Sequence, residues 1–91
     1  MKRLIAVVQG RVQGVYFRQY TMREAVNLHL TGWVRNEPDG SVRVVAEGPE
    51  EILNLLLRFL WHGSPAAQVD QVISDWQPAT GEFSGFHVRW L

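Results

Sequence analysis

The segment from Gly10 to Ala25, GRVQGVYFRQYTMREA, combines three features that together can hold an anion. Gly14 allows a tight turn in which successive backbone N–H groups point into one concavity. The helical pattern that follows adds free N–H groups and the positive end of a helix dipole. Arg18 adds a permanently charged, forked donor that matches two phosphate oxygens. The segment therefore predicts a site for a tetrahedral dianion.

The best-known phosphate-binding patterns are absent, and a plainer interpretation of the segment stays open. The lysine and the serine or threonine that serve phosphate and magnesium in a P-loop are missing, and GxGxxG does not occur in the chain. Single glycines between a strand and a helix are common, and arginine side chains are mostly solvated. On the residues alone, an anion site and an ordinary loop both remain possible.

The composition is that of an ordinary globular chain with no overall field for polyanions. Of the 91 residues, 46% are apolar and 20% are charged, and nine acidic residues balance nine basic ones. Zero net charge excludes a global attraction of nucleic acid or anionic lipid, so any anion site must be local. The absence of cysteine excludes disulfides, thiolate metal sites and a cysteine nucleophile. A chain of this length holds one core.

No segment has the pattern of a signal peptide or a membrane span. The N-terminal apolar run is too brief for the core of a signal peptide and lacks a small-residue cleavage site. No run approaches the roughly 20 apolar residues of a membrane-spanning helix. We therefore expect a cytoplasmic protein with no membrane partner.

Apolar periodicity predicts seven elements in the order β-α-β-β-α-β-β. Alternation indicates the strands, and Phe17, Thr21 and Ala25 share one face of the first helix. Two β-α-β halves joined by a hairpin are the split arrangement of ferredoxin-like folds. We predict an α+β fold: a ferredoxin-like α/β sandwich with an antiparallel sheet of four to five strands and two helices on one face. The predicted strands cover residues 3–13, 33–36, 41–47, 69–76 and 86–90, and the helices cover 18–30 and 48–61.

Glycine positions predict where these elements bend or end. Gly10 indicates a bulge in the first strand, and Gly32 indicates a left-handed cap after the first helix. The segment from Glu37 to Gly40 indicates a type I turn that closes a hairpin. In this arrangement, the loop after the first strand and the end of the second strand meet at one edge of the sheet.

Two long motifs give the chain a family resemblance. The first is Gly10-Arg11-Val12-Gln13-Gly14-Val15-Tyr16-Phe17-Arg18, and the second is Gly32-Trp33-Val34-Arg35-Asn36, followed by Gly40, Val42 and Gly48. With these motifs the chain resembles the acylphosphatases, small enzymes that hydrolyse the carboxyl–phosphate bond of acyl phosphates. The resemblance extends over nearly the whole chain, so we expect a single acylphosphatase-like domain over residues 1–91.

The resemblance implies roles for particular residues. Arg18 and Asn36 take the positions of the family's catalytic arginine and asparagine. Phosphate is bound by the backbone of the first loop together with the arginine, at Gln13, Gly14, Val15, Tyr16, Phe17 and Arg18. The substrate is a small-molecule acyl phosphate, and the family needs neither a metal nor an organic cofactor.

The side-chain chemistry agrees with these roles. Asn36 carries an amide that both donates and accepts, so it can position a water for in-line attack on phosphorus, although it is not a strong base. One departure from the family pattern is Tyr16, where many members have a smaller residue. We expect this difference to affect loop packing or substrate preference more than the chemistry, because the phosphate-binding groups are backbone amides.

Other polar residues have plainer interpretations. His29, His62 and His87 are not paired at metal-ligand spacing, and we interpret them as structural. Glu37 begins the predicted turn, where exposed polar residues are routine, so a turn role is favoured over that of a catalytic base. The tryptophans are interpreted as core or sheet-face residues.

Two questions stay open at this level. The strand over residues 41–47 has no aromatic residue, which argues against RNA binding, and we predict no nucleic-acid partner. The rival function is a non-catalytic regulatory module that binds an anion at Arg18. The leucine-rich second helix is explained by deep burial in a monomer, with a homodimer face as the alternative.

Overall fold

The computed structural model describes residues 1–90 and has five strands and two helices in the predicted order. Leu91, the last residue of the predicted domain, lies outside the described residues. The elements are β1 (Lys2–Arg11), α1 (Phe17–Asn27), β2 (Thr31–Asn36), β3 (Val42–Gly48), α2 (Glu50–Leu60), β4 (Gln68–Pro78) and β5 (Phe86–Arg89).

The strands form one sheet in the order β4-β1-β3-β2-β5. Strand β1 pairs antiparallel with β3 and β4, and β2 pairs antiparallel with β3. The predicted ferredoxin-like α+β fold is confirmed, and β5 makes the sheet mixed because it runs parallel to β2. Strands β4 and β5 occupy opposite edges, so the chain between them crosses one end of the sheet. It then re-enters the sheet beside β2 in the same direction.

The prediction for the residue that follows the first helix is wrong, and the prediction of a bulge in the first strand is confirmed. Helix α1 ends at Asn27, and His29 takes the left-handed conformation with a φ of 59°. Gly32, predicted to be that left-handed cap, lies within β2. The chain turns earlier because Leu30, which is 2% exposed, enters the core at that point. The bulge predicted at Gly10 is confirmed, since the register of β1 against β4 shifts there.

The hydrophobic core lies between the sheet and the two helices, which pack on the same face. In α1 the residues Phe17, Thr21 and Ala25 are buried, as the predicted periodicity required. The sheet contributes every second residue of its central strands: Leu4, Ala6, Val8, Val34, Val42, Val44 and Ala46 are all fully buried. Burial of each larger aliphatic side chain stabilises the fold by about 1.5–3 kcal/mol.

Helix α2 directs most of its apolar surface into this core. Leu53, Leu56 and Leu60 are fully buried, whereas Leu55 is 40% exposed. Deep burial therefore accounts for much of the leucine content, and a homodimer face on this helix stays a prediction. No helix among residues 1–90 is long and apolar enough to cross a membrane.

A buried carboxylate holds the connection that crosses the end of the sheet. Glu47, at the end of β3, accepts hydrogen bonds from the backbone N–H groups of Thr80 and Gly81 and from Arg3 Nε at 2.7 Å. Arg3 also pairs with Glu82 on the same connection. Burial by itself raises the pKa of Glu47, but these donors outweigh it and hold the pKa at about 2, against an ordinary 4.5.

We expect this carboxylate to make the fold sensitive to acid. Because its pKa is lowered in the folded chain, ionised Glu47 contributes stability above its ordinary pKa, and the contribution is lost as pH falls towards about 2. Glu47→Gln should lower the free energy of unfolding at pH 7 by about 2–3 kcal/mol, the loss typical of hydrogen bonds to a charged group. Urea unfolding at pH 7 and at pH 3 measures the stability lost in the variant and the dependence of that loss on pH.

The control is Glu82→Gln, which removes the other carboxylate paired with Arg3. Glu82 is 57% exposed and should contribute much less. The stability difference between wild type and Glu47→Gln should shrink at pH 3. An equal difference at both pH values would contradict the assigned role of the carboxylate.

Candidate active site

The loop between β1 and α1 turns through two left-handed residues. Val12 and Val15 anchor it by entering the core, with 1% and 9% of their surface exposed. Gly14 has a φ of 73° and Tyr16 has a φ of 64°. A Cβ at Gly14 would meet nothing within 4 Å, so glycine is favoured there by the backbone conformation and not by lack of space. The loop is therefore tight and fixed at both valines.

The loop delivers the chain to a helix N-terminus that no side chain of residues 1–90 caps. Tyr16 is the N-cap residue, and the first turn of α1 contains no acidic residue. The helical hydrogen bonds begin with Tyr20 N–H donating to Tyr16 O at 3.1 Å. The amides before Tyr20 have no intrahelical acceptor, which makes this end of α1 suited to an anion.

Arg18 projects from this first turn and stacks on an aromatic ring. Its guanidinium carbon lies 4.1 Å from the centroid of the Trp90 ring, a distance typical of a cation–π contact. The side chain is partly buried, and among residues 1–90 it forms no ion pair with a carboxylate. Its donors therefore remain available to an anion, while Trp90 restricts the orientation of the guanidinium.

Asn36 is the last residue of β2 and lies on the helix side of the sheet. Its Oδ1 atom is buried and has no hydrogen-bond partner among residues 1–90. Asn36 and Arg18 together line two adjoining cavities, the first of about 270 Å³ and the second of about 250 Å³. The two residues, separated by 17 others in the sequence, thus lie beside one shared site.

The lining separates the predicted site residues into two groups. Gly14, Tyr16, Phe17, Arg18 and Asn36 line the first cavity, together with Val12 and Gln19. The second cavity is lined by Arg18, Asn36, Arg89 and Trp90. Gln13 and Val15, also predicted to bind phosphate, line neither cavity.

The Gln13 side chain instead connects the first loop to the β2–β3 turn. Its Nε2 donates to the backbone oxygens of Glu37 and Ser41 at 2.8 and 2.9 Å. Glu37 directly follows Asn36, so this amide fixes the end of β2 against the loop that carries Arg18. The side chain of Gln13 is therefore placed to act on the relative position of the two predicted catalytic residues.

Glu37 is held by cations on the opposite, open face of the sheet. Its Oε1 lies 2.9 Å from Arg35 and 3.1 Å from Arg43. The carboxylate does not line either cavity. This agrees with the interpretation of Glu37 as a structural turn residue and leaves it no contact with the site.

A larger cavity of about 380 Å³ lies at the other end of the sheet, but its chemistry does not suit a phosphate. It is lined by Glu47, His29 and the crossing connection, and by no arginine or lysine. A buried carboxylate whose pKa is held low repels an anion. Within residues 1–90 there is also no group of three or more histidine or acidic side chains that could hold a metal ion.

Sequence reasoning missed Trp90, Arg89 and Gln19. Trp90 was interpreted with the other tryptophans as a core or sheet-face residue, but it is 74% exposed and covers Arg18. The alternation of Phe86, Val88 and Trp90 places it on the helix side of the sheet, which was the available signal. Its contact with Arg18 depended on β5 pairing with β2, which the pattern did not indicate.

Comparisons with known proteins agree with this geometry. A model of the acylphosphatase family matches residues 4–88. An acylphosphatase of Pelotomaculum thermopropionicum is 51% identical over 84 residues, covering 92% of this chain and 91% of the relative. One from Salinibacter ruber is 51% identical over 88 residues, covering 97% and 93%.

Solved structures give the same result. The crystal structure of acylphosphatase from Bacillus subtilis superposes with a TM-score of 0.94 at 35% identity, covering 98% of this chain and 99% of that one. The resemblance indicated by the two motifs is thus confirmed over the whole fold. The chain belongs to the acylphosphatase family, the hydrolases that cleave the carboxyl–phosphate bond of acyl phosphates.

Proposed function

We propose that this acylphosphatase binds the phosphoryl group of its substrate at the N-terminus of α1 and attacks it with a water held by Asn36. The phosphate-binding groups are the guanidinium of Arg18 and backbone amides of the loop over residues 13–17, of which Gly14, Tyr16 and Phe17 line the first cavity. The observation that carries the proposal is that Asn36 and Arg18, from distant parts of the chain, line the same two cavities beside the uncapped end of α1. A side-chain amide in that position can hold a water beside the bound anion.

Arg18 and the amides stabilise the charge of the phosphoryl group. Charge is spread over its three equatorial oxygens in the transition state, so donors positioned in advance lower the barrier without reorganising during the reaction. The fork of Arg18 matches two oxygens, and the stacked Trp90 ring holds that fork in place. The uncapped amides serve the oxygens that Arg18 does not reach.

Asn36 contributes orientation. Its side-chain amide holds the water by a hydrogen bond and orients a lone pair of the water towards phosphorus, on the side opposite the leaving oxygen. Among the described residues, neither cavity is lined by a carboxylate or a histidine. We therefore route the proton of the water to an oxygen of the phosphoryl group. The P–O bond to the acyl group breaks, and the acyl group leaves as a carboxylate, which needs no protonation by the enzyme.

The properties that remain are the size of the substrate, the oligomeric state, the extent of the domain and the location in the cell. Members of this family act on small-molecule substrates. A monomeric state, a single domain over residues 1–91 and a cytoplasmic location stay predictions. The absence of cysteine is compatible with that location.

Removal of either side chain should abolish most turnover. Arg18→Ala and Asn36→Ala are each expected to lower kcat by about 100-fold or more, the effect of losing one preorganised donor or positioning group. The hydrolysis rate of benzoyl phosphate in the presence of excess chelator measures kcat. Inorganic phosphate should compete with the substrate. Arg11→Ala and Asn54→Ala remove the same groups from exposed positions and serve as controls.

The outcome separates the two functions considered from the sequence. Full turnover in both variants, with their folds intact, would reject the residue roles. A wild-type chain that binds inorganic phosphate and hydrolyses no acyl phosphate would instead favour the non-catalytic anion-binding module.

Loss of the Gln13 side chain should affect turnover more than phosphate binding. In Gln13→Ala the Glu37 and Ser41 oxygens keep their turn hydrogen bonds from Gly40 and Glu37, so the fold should persist. The Asn36 side chain is then less well fixed against Arg18, and kcat is expected to fall about tenfold. The inhibition constant of inorganic phosphate should change less than kcat, whereas Gln9→Ala, at an exposed position of β1, should change neither. If kcat and the affinity for inorganic phosphate fell by the same factor, Gln13 would act only on the phosphate-binding loop.

Loss of the Trp90 ring should weaken phosphate binding. A cation–π contact at an exposed position contributes about 0.5–1 kcal/mol, so Trp90→Ala should raise the inhibition constant of inorganic phosphate about two- to fivefold. Trp90→Phe should retain part of the contact. Trp61→Ala removes an exposed ring that lines neither cavity and is the matched control. Unchanged phosphate inhibition in Trp90→Ala would show that Arg18 holds its position without the ring.

A further inference from the structure

The ring of Tyr16 is an exposed aromatic surface on the rim of the first cavity. Tyr16 is 71% exposed and lines that cavity with Gln19. No side-chain hydrogen bond from it is recorded among residues 1–90, and the nearby cation–π pair of Arg23 uses Tyr20 instead. Within residues 1–90 the ring therefore has neither a hydrogen bond nor a cation–π partner to explain its position.

The backbone beneath this ring is one that side chains other than glycine rarely adopt. Tyr16 has a φ of 64° and a ψ of 20°, in the left-handed region, where a bulky residue is uncommon and glycine carries no penalty. Unfavourable backbone conformations of this kind cluster at ligand sites. The local conformation alone would favour glycine, so the presence of tyrosine calls for a contribution from its side chain.

The direction of in-line attack indicates what reaches Tyr16. Arg18 and Asn36 line both cavities, Trp90 lines only the second, and Tyr16 lines only the first. If the water sits at Asn36, the leaving oxygen lies on the far side of phosphorus from Asn36. The residues that line the first cavity but not the second are Tyr16 and Gln19, together with Val12, Gly14 and Phe17, so a leaving group directed away from Asn36 within this cavity would meet them.

We propose that the Tyr16 ring contacts the acyl group of the substrate and makes the enzyme favour acyl phosphates with a flat, aromatic acyl group over those with a small aliphatic one. This inference rests on the proposed function, since it uses the water position assigned to Asn36. An aromatic acyl group can stack on the exposed ring face, whereas an acetyl group offers little surface to it. Tyr16 is thus a specificity residue through its side chain, while its backbone belongs to the phosphate-binding loop.

The test compares two substrates in ring-deleted and ring-retaining variants. The quantity measured is the ratio of kcat/KM for benzoyl phosphate to kcat/KM for acetyl phosphate. A stacked aromatic pair corresponds to a preference of about two- to tenfold, so Tyr16→Ala should lower this ratio about fivefold. Tyr16→Phe keeps the ring and should keep the ratio. Trp61→Ala removes an exposed ring elsewhere and should also keep it.

A second variant guards against an effect of altered loop folding. Tyr16→Gly removes the ring and suits the left-handed backbone, so it should unfold at a urea concentration no lower than that of wild type and still show the reduced ratio. A ratio that stays constant in Tyr16→Ala and Tyr16→Gly overturns the proposal, even if both rates fall, because the ring would then act only on the loop.

A failure of the proposed function would give a result different from a failure of the inference about Tyr16. If Asn36→Ala retains wild-type turnover, the attack direction assumed here is wrong, whatever the substrate ratio does. If Arg18 and Asn36 are required but the ratio does not respond to Tyr16, only the inference about the acyl group fails.

Discussion

An uncapped helix N-terminus is the feature on which the rest of the site depends. Backbone amides without acceptors are unfavourable when they are shielded from water, and most helices satisfy them with a side chain at the N-cap. Here Tyr16 occupies the cap in a left-handed conformation and provides no such bond. The burial of Val12 and Phe17 on either side compensates, because it anchors the loop in the core while the amides stay open to an anion.

The other parts of the site reach this helix end from distant parts of the chain. Asn36 comes from β2 and is fixed against the loop by the Gln13 amide. Trp90 follows β5, which reaches the edge beside β2 only because the preceding connection crosses the sheet. That crossing is attached to Glu47 at the opposite end of the molecule. Hydrogen bonds to a buried carboxylate at the other end of the sheet thus hold the connection that leads to the ring covering Arg18.

Features that are encoded locally could be predicted from the sequence. They are the order of elements, the core face of α1 and the positions of Arg18 and Asn36. Periodicity indicates a helix face, and the glycines and the arginine lie within one continuous motif. Features that depend on which strands become neighbours could not be predicted. They are the parallel pairing of β5, the stacking of Trp90 and the contacts of the Gln13 side chain. The left-handed residue after α1 was misplaced because the burial of Leu30, and not the nearest glycine, decides where the chain turns.

The two glycines of the first motif are required for unrelated structural reasons, whereas Arg18 is the residue of this motif whose side chain has a proposed role in the chemistry. A Cβ at Gly10 would lie 2.2 Å from the backbone oxygen of Gln68, so Gly10 serves the packing of two strands. Gly14 serves the conformation of the loop. If Arg18 has the proposed role, a chain that lost it would keep its strands and helices and lose its activity. One that lost Gly10 would forfeit both together, although that residue lies outside the cavities where the reaction is proposed to occur.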